Sequence, residues 1–130
     1  MVRDYDESEI PAVHNLEEVP PVRDEPGFRQ VVYRGLDQMV ALSVVQPDKK
    51  DTDTHSHPWE QTNVLVEGEL GFVVGDEQVT LEQYDALTVP PGVEHTSRAI
   101  SDEEAKMLVI WPLREDRVAG TEYQTEFPTE

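Results

Sequence analysis

Two short segments carry side chains of the kind that bind metal ions. His55-Ser56-His57-Pro58-Trp59-Glu60-Gln61 sets two imidazoles two residues apart with a carboxamide close behind, and Pro90-Pro91-Gly92-Val93-Glu94-His95 places a further imidazole after a tight turn. On an extended chain, residues i and i+2 face the same way, so His55 and His57 can hold one ion side by side. Pro58 interrupts regular pairing, and the step from 58 to 60 can re-aim the chain so that Gln61 returns to that face. Glu60 is the rival oxygen donor, but strand alternation turns it away when Gln61 faces in. The Pro-Pro-Gly turn can deliver His95 as a fourth ligand. Three of the four histidines fall in these two segments, and neutral imidazole is the commonest protein metal ligand. His14 lies alone among acids and reads as a surface residue. Three imidazoles and an amide oxygen leave the charge of one divalent metal ion nearly intact, and Fe, Mn, Ni, Co and Zn all suit such a set. A six-coordinate ion would keep two positions open for an anionic oxygen ligand and act on it as a Lewis acid.

Positioning these ligands is a task for strands. Apolar alternation and turn residues predict β-runs at Arg29 to Tyr33, Met39 to Gln46, Thr62 to Val66, Glu69 to Val74, Gln78 to Leu81, Ala86 to Val89, Thr96 to Ile100 and Lys106 to Trp111. Short strands at this spacing imply an all-β sandwich or barrel in one domain, with the barrel over 28–117. Residues 1–27, acidic and proline-rich, read as an extended arm that Ile10, Val13 or Leu16 could pin, and 118–130 as a polar tail. Leu65, Phe72, Val74, Met107 and Trp111 are candidate interior residues, and Trp59 walls the site or packs under it. Arg29, Tyr33, Asn63 and Arg98 fall on predicted strands and are candidate substrate contacts, where an inward-facing arginine could pair with a substrate carboxylate.

With Gly68 seven residues beyond Gln61, and Pro90, Gly92 and His95 in the second segment, the pattern resembles the paired motifs of the cupins. It departs from them at Lys49, Gln61, Tyr84 and Ala99. The resemblance implies a cupin jelly-roll β-barrel with the metal inside. The His-x-His-x3-Gln spacing and the ending Trp111-Pro112-Leu113-Arg114-Glu115-Asp116 are further similar to the pectin-degradation cupins that act on 4,5-unsaturated uronates. That likeness implies Arg114 as a substrate contact, but it places Leu108 where those proteins carry a catalytic acid and Ile110 at a nearby aromatic position. The same uronate reaction is therefore not expected, and no general acid or base is identified. The expected function is a metal-dependent isomerase, tautomerase or lyase acting on a small anionic, oxygen-rich metabolite. An Fe(II)-dependent dioxygenase and a non-catalytic, metal-dependent ligand-binding protein remain as alternatives.

Charge and composition narrow the partners. Ten basic residues face twenty-eight acidic ones, a net charge of −18, which argues against nucleic-acid binding. The acids are spread along the chain, with three lysines against seven arginines, a composition similar to that of salt-accumulating halophiles, where screening at about 1 M salt removes self-repulsion. Cysteine is absent, so disulfides and thiolate ligands are excluded. No long apolar run or charged leader is visible. A cytoplasmic homodimer, with no membrane partner, is expected.

Overall fold

The computed structural model describes residues 2–3, 13, 15–34, 38–48 and 54–112. Among them are ten strands: β1 (Val2–Arg3), β2 (Arg23–Glu25), β3 (Phe28–Arg34), β4 (Gln38–Val45), β5 (Gln61–Glu67), β6 (Leu70–Val74), β7 (Glu77–Leu81), β8 (Ala86–Val89), β9 (His95–Ala99) and β10 (Ala105–Pro112). Every strand expected from alternation is present, with bounds within one residue. They form two facing sheets of a jelly roll. The larger runs β1-β3-β4-β10-β5-β8 with β2 added beside β3, and the smaller is β7-β6-β9.

Alternation decides what each strand buries. In β4 the inward residues are Met39, Ala41, Ser43 and Val45, and in β10 they are Ala105, Met107, Val109 and Trp111. The β4–β10 register pairs these sets directly, Met39 with Trp111 and Ala41 with Val109. Leu65 of β5 and Leu70 and Phe72 of β6 close the core from the neighbouring strand and the opposite sheet. The other face of the large sheet carries Val40, Leu42, Val64, Leu108 and Ile110, all half-buried. Gly68 makes the β5–β6 turn possible: its φ is +85°, and a Cβ there would stand 2.7 Å from the carbonyl oxygen of Glu104. Only glycine meets both conditions.

The sheet also begins earlier than the sequence suggests. Within the expected arm, Leu16–Glu18 form a single 3₁₀ turn, capped by Asn15, whose side chain accepts from the Glu17 amide at 2.9 Å. Leu16 is half-buried in that turn, Val19 after it is buried and Val13 is exposed, so of the described candidates Leu16 helps to pin the arm, with Val19 beside it. β2 then pairs antiparallel with β3. Its sequence, Arg-Asp-Glu, has no apolar alternation to betray a strand, because an edge strand three residues long can be held by ladder bonds alone. Ile10, His14 and the segment 118–130 lie outside the described residues.

Candidate metal centre

His55 and His57 are not on a continuous strand. His55 forms an isolated antiparallel bridge with His95, exchanging backbone bonds in both directions: His95 N–H donates to His55 O at 2.9 Å, and His55 N–H to His95 O at 3.2 Å. This exchange sets the two imidazoles side by side, with ring centroids 4.4 Å apart. His57 is fixed differently. The Gly92 amide donates to its carbonyl at 2.8 Å, and its ring stacks on Trp59 at 4.6 Å with a 7° tilt. Trp59, buried in the core cluster, thus packs beneath the site. Gly92, at φ +79°, occupies the third position of a turn closed by Val93 N–H to Pro90 O at 3.3 Å. Proline second and glycine third are the residues such a type II turn requires, and the turn delivers His95 to the start of β9. Gln61 opens β5, facing in, while Glu60 is exposed.

Hydrogen bonds to groups that can only donate or only accept assign the proton positions. The carbonyl of Trp59 lies 2.8 Å from His57 Nδ1, and that of Val93 lies 2.9 Å from His95 Nδ1. A carbonyl only accepts, so both Nδ1 atoms carry the proton and both Nε2 atoms present a lone pair. The Leu87 carbonyl similarly takes the Asn63 amide N–H at 3.3 Å. Asn63 Oδ1 therefore accepts from Gln61 Nε2 at 2.8 Å, which turns Gln61 Oε1 toward the histidines. Trp111 confirms the orientation, because its indole N–H, a donor only, reaches Oε1 at 3.0 Å.

The consequence is a convergence of acceptors. Gln61 Oε1 stands 3.0 Å from His57 Nε2 and 3.3 Å from His95 Nε2, yet a neutral imidazole protonated at Nδ1 has no hydrogen to place between them. Adding one would make a buried imidazolium. Burial, chiefly, with the neighbouring His55 and His57 charges, lowers the His95 pKa from 6.5 to about 4, although its bond to Val93 works in the other direction. A cation could resolve the convergence instead. One ligand atom from each of His55, His57 and His95 lies within 4.8 Å of the others, so the three can close on a single ion, and the amide oxygen lies beside them. The tautomers already suit a metal, since Nδ1–H bonds to backbone carbonyls hold ligating imidazoles in this way.

The remaining expected site residues are scattered. Arg29 and Tyr33 pair across β4 with Val44 and Val40, on the sheet face opposite the histidines, because the inward residues of β3 are Phe28, Gln30 and Val32. A shift of one residue inverts the face. Asn63 faces in but is fully buried behind Gln61, whose amide it orients. Arg98 is half-buried on β9, and Arg114 lies outside the described residues. Leu108 and Ile110 also point away, so the β10 residues that border the centre are Met107, Val109 and Trp111. A narrow cleft lined by His55, Gln61 and His95 is also lined by Phe28, Gln30 and Ser43. Gln30, Ser43 and the Trp111 indole are the contributions that sequence reasoning missed. An alternation count that included Gln30 and Ser43 as inward polar residues would have found the first two.

Comparison with known proteins agrees with this architecture. The chain is 27% identical over 104 residues to a protein named polyketide synthase CurC from Streptomyces cyaneus, covering 75% of this chain and 67% of that one. Among solved structures, an RmlC-like cupin from Shewanella frigidimarina superposes with a TM-score of 0.63 at 22% identity, over 77% of this chain and 89% of the other. KdgF from a Halomonas species does so with a TM-score of 0.64 at 20% identity, over 77% and 92%. Residues 41–111 match the family described as Cupin_2, cupin domain, and with the jelly roll and the histidine cluster inside it, this chain belongs to the cupin domain family.

Proposed function

We propose that this cupin holds one divalent ion through His55, His57, Gln61 and His95 and uses it to bind and transform a small anionic, oxygen-rich metabolite. The observation that supports this reading is the convergence of lone pairs from two imidazoles and an amide oxygen. Because none of the four ligands is charged, the ion would keep nearly its full charge, and an anionic oxygen ligand would be favoured. When bound, the ion supplies Lewis-acid polarisation of a substrate oxygen and a fixed point of attachment; Fe, Mn, Ni, Co and Zn all suit the donors. The chain's own residues supply the rest. Backbone carbonyls hold the His57 and His95 rings, Asn63 holds the Gln61 amide nitrogen and Trp111 its oxygen, and Phe72, Met107 and Val109 make part of the cleft lining apolar.

Isomerisation, tautomerisation or elimination next to a carbonyl would draw on such polarisation. The name of the Streptomyces relative adds poly-oxo chains to the candidate ligands, since these are themselves enolisable. Unsaturated uronates fit less well, because no acid stands on the inward face of β10. A second reading has its own support: among the described residues, no carboxylate lines the cleft. A protein that captures a ligand through its metal without turning it over needs none.

Metal analysis with calorimetry tests the proposal. The native protein should carry near one divalent ion per chain, His57→Ala and His95→Ala should lose it, and oxalate or a 2-oxo acid should bind only the metal-loaded form. Undiminished metal in both variants, or anion binding indifferent to metal, would overturn the reading.

A further inference from the structure

The cleft has a second polar end that the metal centre does not use. Gln30 of β3 and Ser43 of β4 are directly paired across the two strands, and both are buried, at 4% and 0% exposure. Gln30 Nε2 donates to Ser43 Oγ at 3.0 Å. In this orientation Gln30 Oε1 is buried with no hydrogen-bond partner among the described residues, and because Ser43 Oγ satisfies only one end of the carboxamide, the other end stays open in either orientation. Both residues line the cleft that His55, Gln61 and His95 line. Arg23, opposite Gln30 in the β2–β3 register, brings positive charge to the same end, held over the Phe28 ring at 4.8 Å and against Glu25 at 2.7 Å.

A buried acceptor left unsatisfied costs the desolvation of that group with nothing in return, and native interiors rarely tolerate it without a use. Packing alone would be better served by leucine or methionine at position 30, between the apolar neighbours Phe28 and Val32. An acceptor at the bottom of a cleft is satisfied when a ligand brings a donor. Resting on the metal reading above, we infer that Gln30 Oε1 accepts a hydrogen bond from a hydroxyl group on the ligand, at the end remote from its metal-bound oxygens. The ligand class is therefore a hydroxylated oxo or carboxylic acid, its oxyanion at the histidines and its hydroxyl at the Gln30–Ser43 pair. Ser43 holds the carboxamide in register, and Arg23 favours anionic over neutral ligands.

The test uses full-length, metal-loaded protein and 2-oxo acids of four to six carbons, each with and without a terminal hydroxyl, titrated by calorimetry. The native protein should prefer the hydroxylated member of at least one pair by about tenfold, the worth of one such hydrogen bond. Gln30→Met should abolish that preference, with its metal content and thermal melt showing that the variant is folded. Gln30→Glu, which retains an acceptor oxygen, should keep the preference. Equal binding of every pair by the native protein, or a preference that survives Gln30→Met, would overturn the inference and leave the metal centre standing. Failure of all the acids to bind the metal-loaded protein would remove both.

Discussion

Gln61 is oriented by residues from two other places in the large sheet, Asn63 on its own strand and Trp111 on β10, and that support has measurable consequences. Partners that orient a metal ligand are typically worth 10- to 100-fold in metal affinity. Asn63→Leu frees the Gln61 amide to rotate, and Trp111→Phe removes the donor to Oε1. Each should weaken metal binding by about that factor, as measured by competition with a chelator, whereas Gln61→Glu should retain metal because an oxygen stays in place. Unchanged affinity in both Asn63→Leu and Trp111→Phe would mean that the amide is not a ligand. Protonation of His95 gives a second prediction. Its folded pKa of about 4 lies below the usual 6.5, so between these values the unfolded chain binds more protons than the folded one. For this residue, the stability of metal-free protein should be complete above pH 6.5 and decline as the pH falls toward 4. Denaturant midpoints across that window test it, and removing the imidazole in His95→Gln should flatten the slope.

At the scale of elements, two turns place the ligands, and each depends on a glycine with positive φ. Gly68 and Gly92 have nearly the same backbone angle, +85° and +79°, but a Cβ at Gly92 would meet nothing within 4 Å, whereas one at Gly68 would strike the Glu104 carbonyl. Gly92→Ala should thus incur only the left-handed strain of about 1–2 kcal/mol. Gly68→Ala should incur that and the collision as well, roughly doubling the loss. Urea unfolding of the two variants separates the terms, and equal losses would show that the β5–β6 turn relaxes freely. Gly92→Ala should disturb metal binding the more of the two, since its amide holds His57 and its turn delivers His95.

Two expectations belong to the molecule as a whole. The outer face of the large sheet sets Leu42, Leu108 and Val64 in one row across three adjacent strands, with Val40 beside Ile110 in the next. A contiguous aliphatic patch on a sheet is a place for association, and we expect a homodimer that covers it. Light scattering should give twice the chain mass of 14.8 kDa. Leu108→Asp should yield monomers that still carry metal, because residue 108 faces away from the histidines. Dimers persisting in that variant would place the interface elsewhere. The net charge of −18 yields the other expectation. Self-repulsion should weaken the fold at low ionic strength and vanish as the screening length falls to about 3 Å near 1 M salt. The melting temperature should therefore climb steeply with potassium chloride. A flat or falling profile would make the acidity incidental.

The sequence by itself determined the strands with apolar alternation and the four side chains that converge inside them, because a period of two and the spacing of histidines, proline and glycine are local properties. His55, His57, Gln61 and His95 were legible for that reason, and so was an all-β sandwich or barrel, whereas the jelly roll was implied by the resemblance to the cupin motifs. The inward face of β10 was legible from Met107 and Trp111, but tertiary structure alone decided which face of β3 looks inward. It turned Arg29 and Tyr33 away and brought in Gln30 and, across from it, Ser43, since one residue of register inverts a strand and register is set by pairing with distant segments. It also decided the setting of Asn63, read from the sequence as a candidate substrate contact, whose amide the Leu87 carbonyl fixes against Gln61. The edge strand Arg23–Glu25 was hidden because backbone ladder bonds leave no mark on side-chain composition.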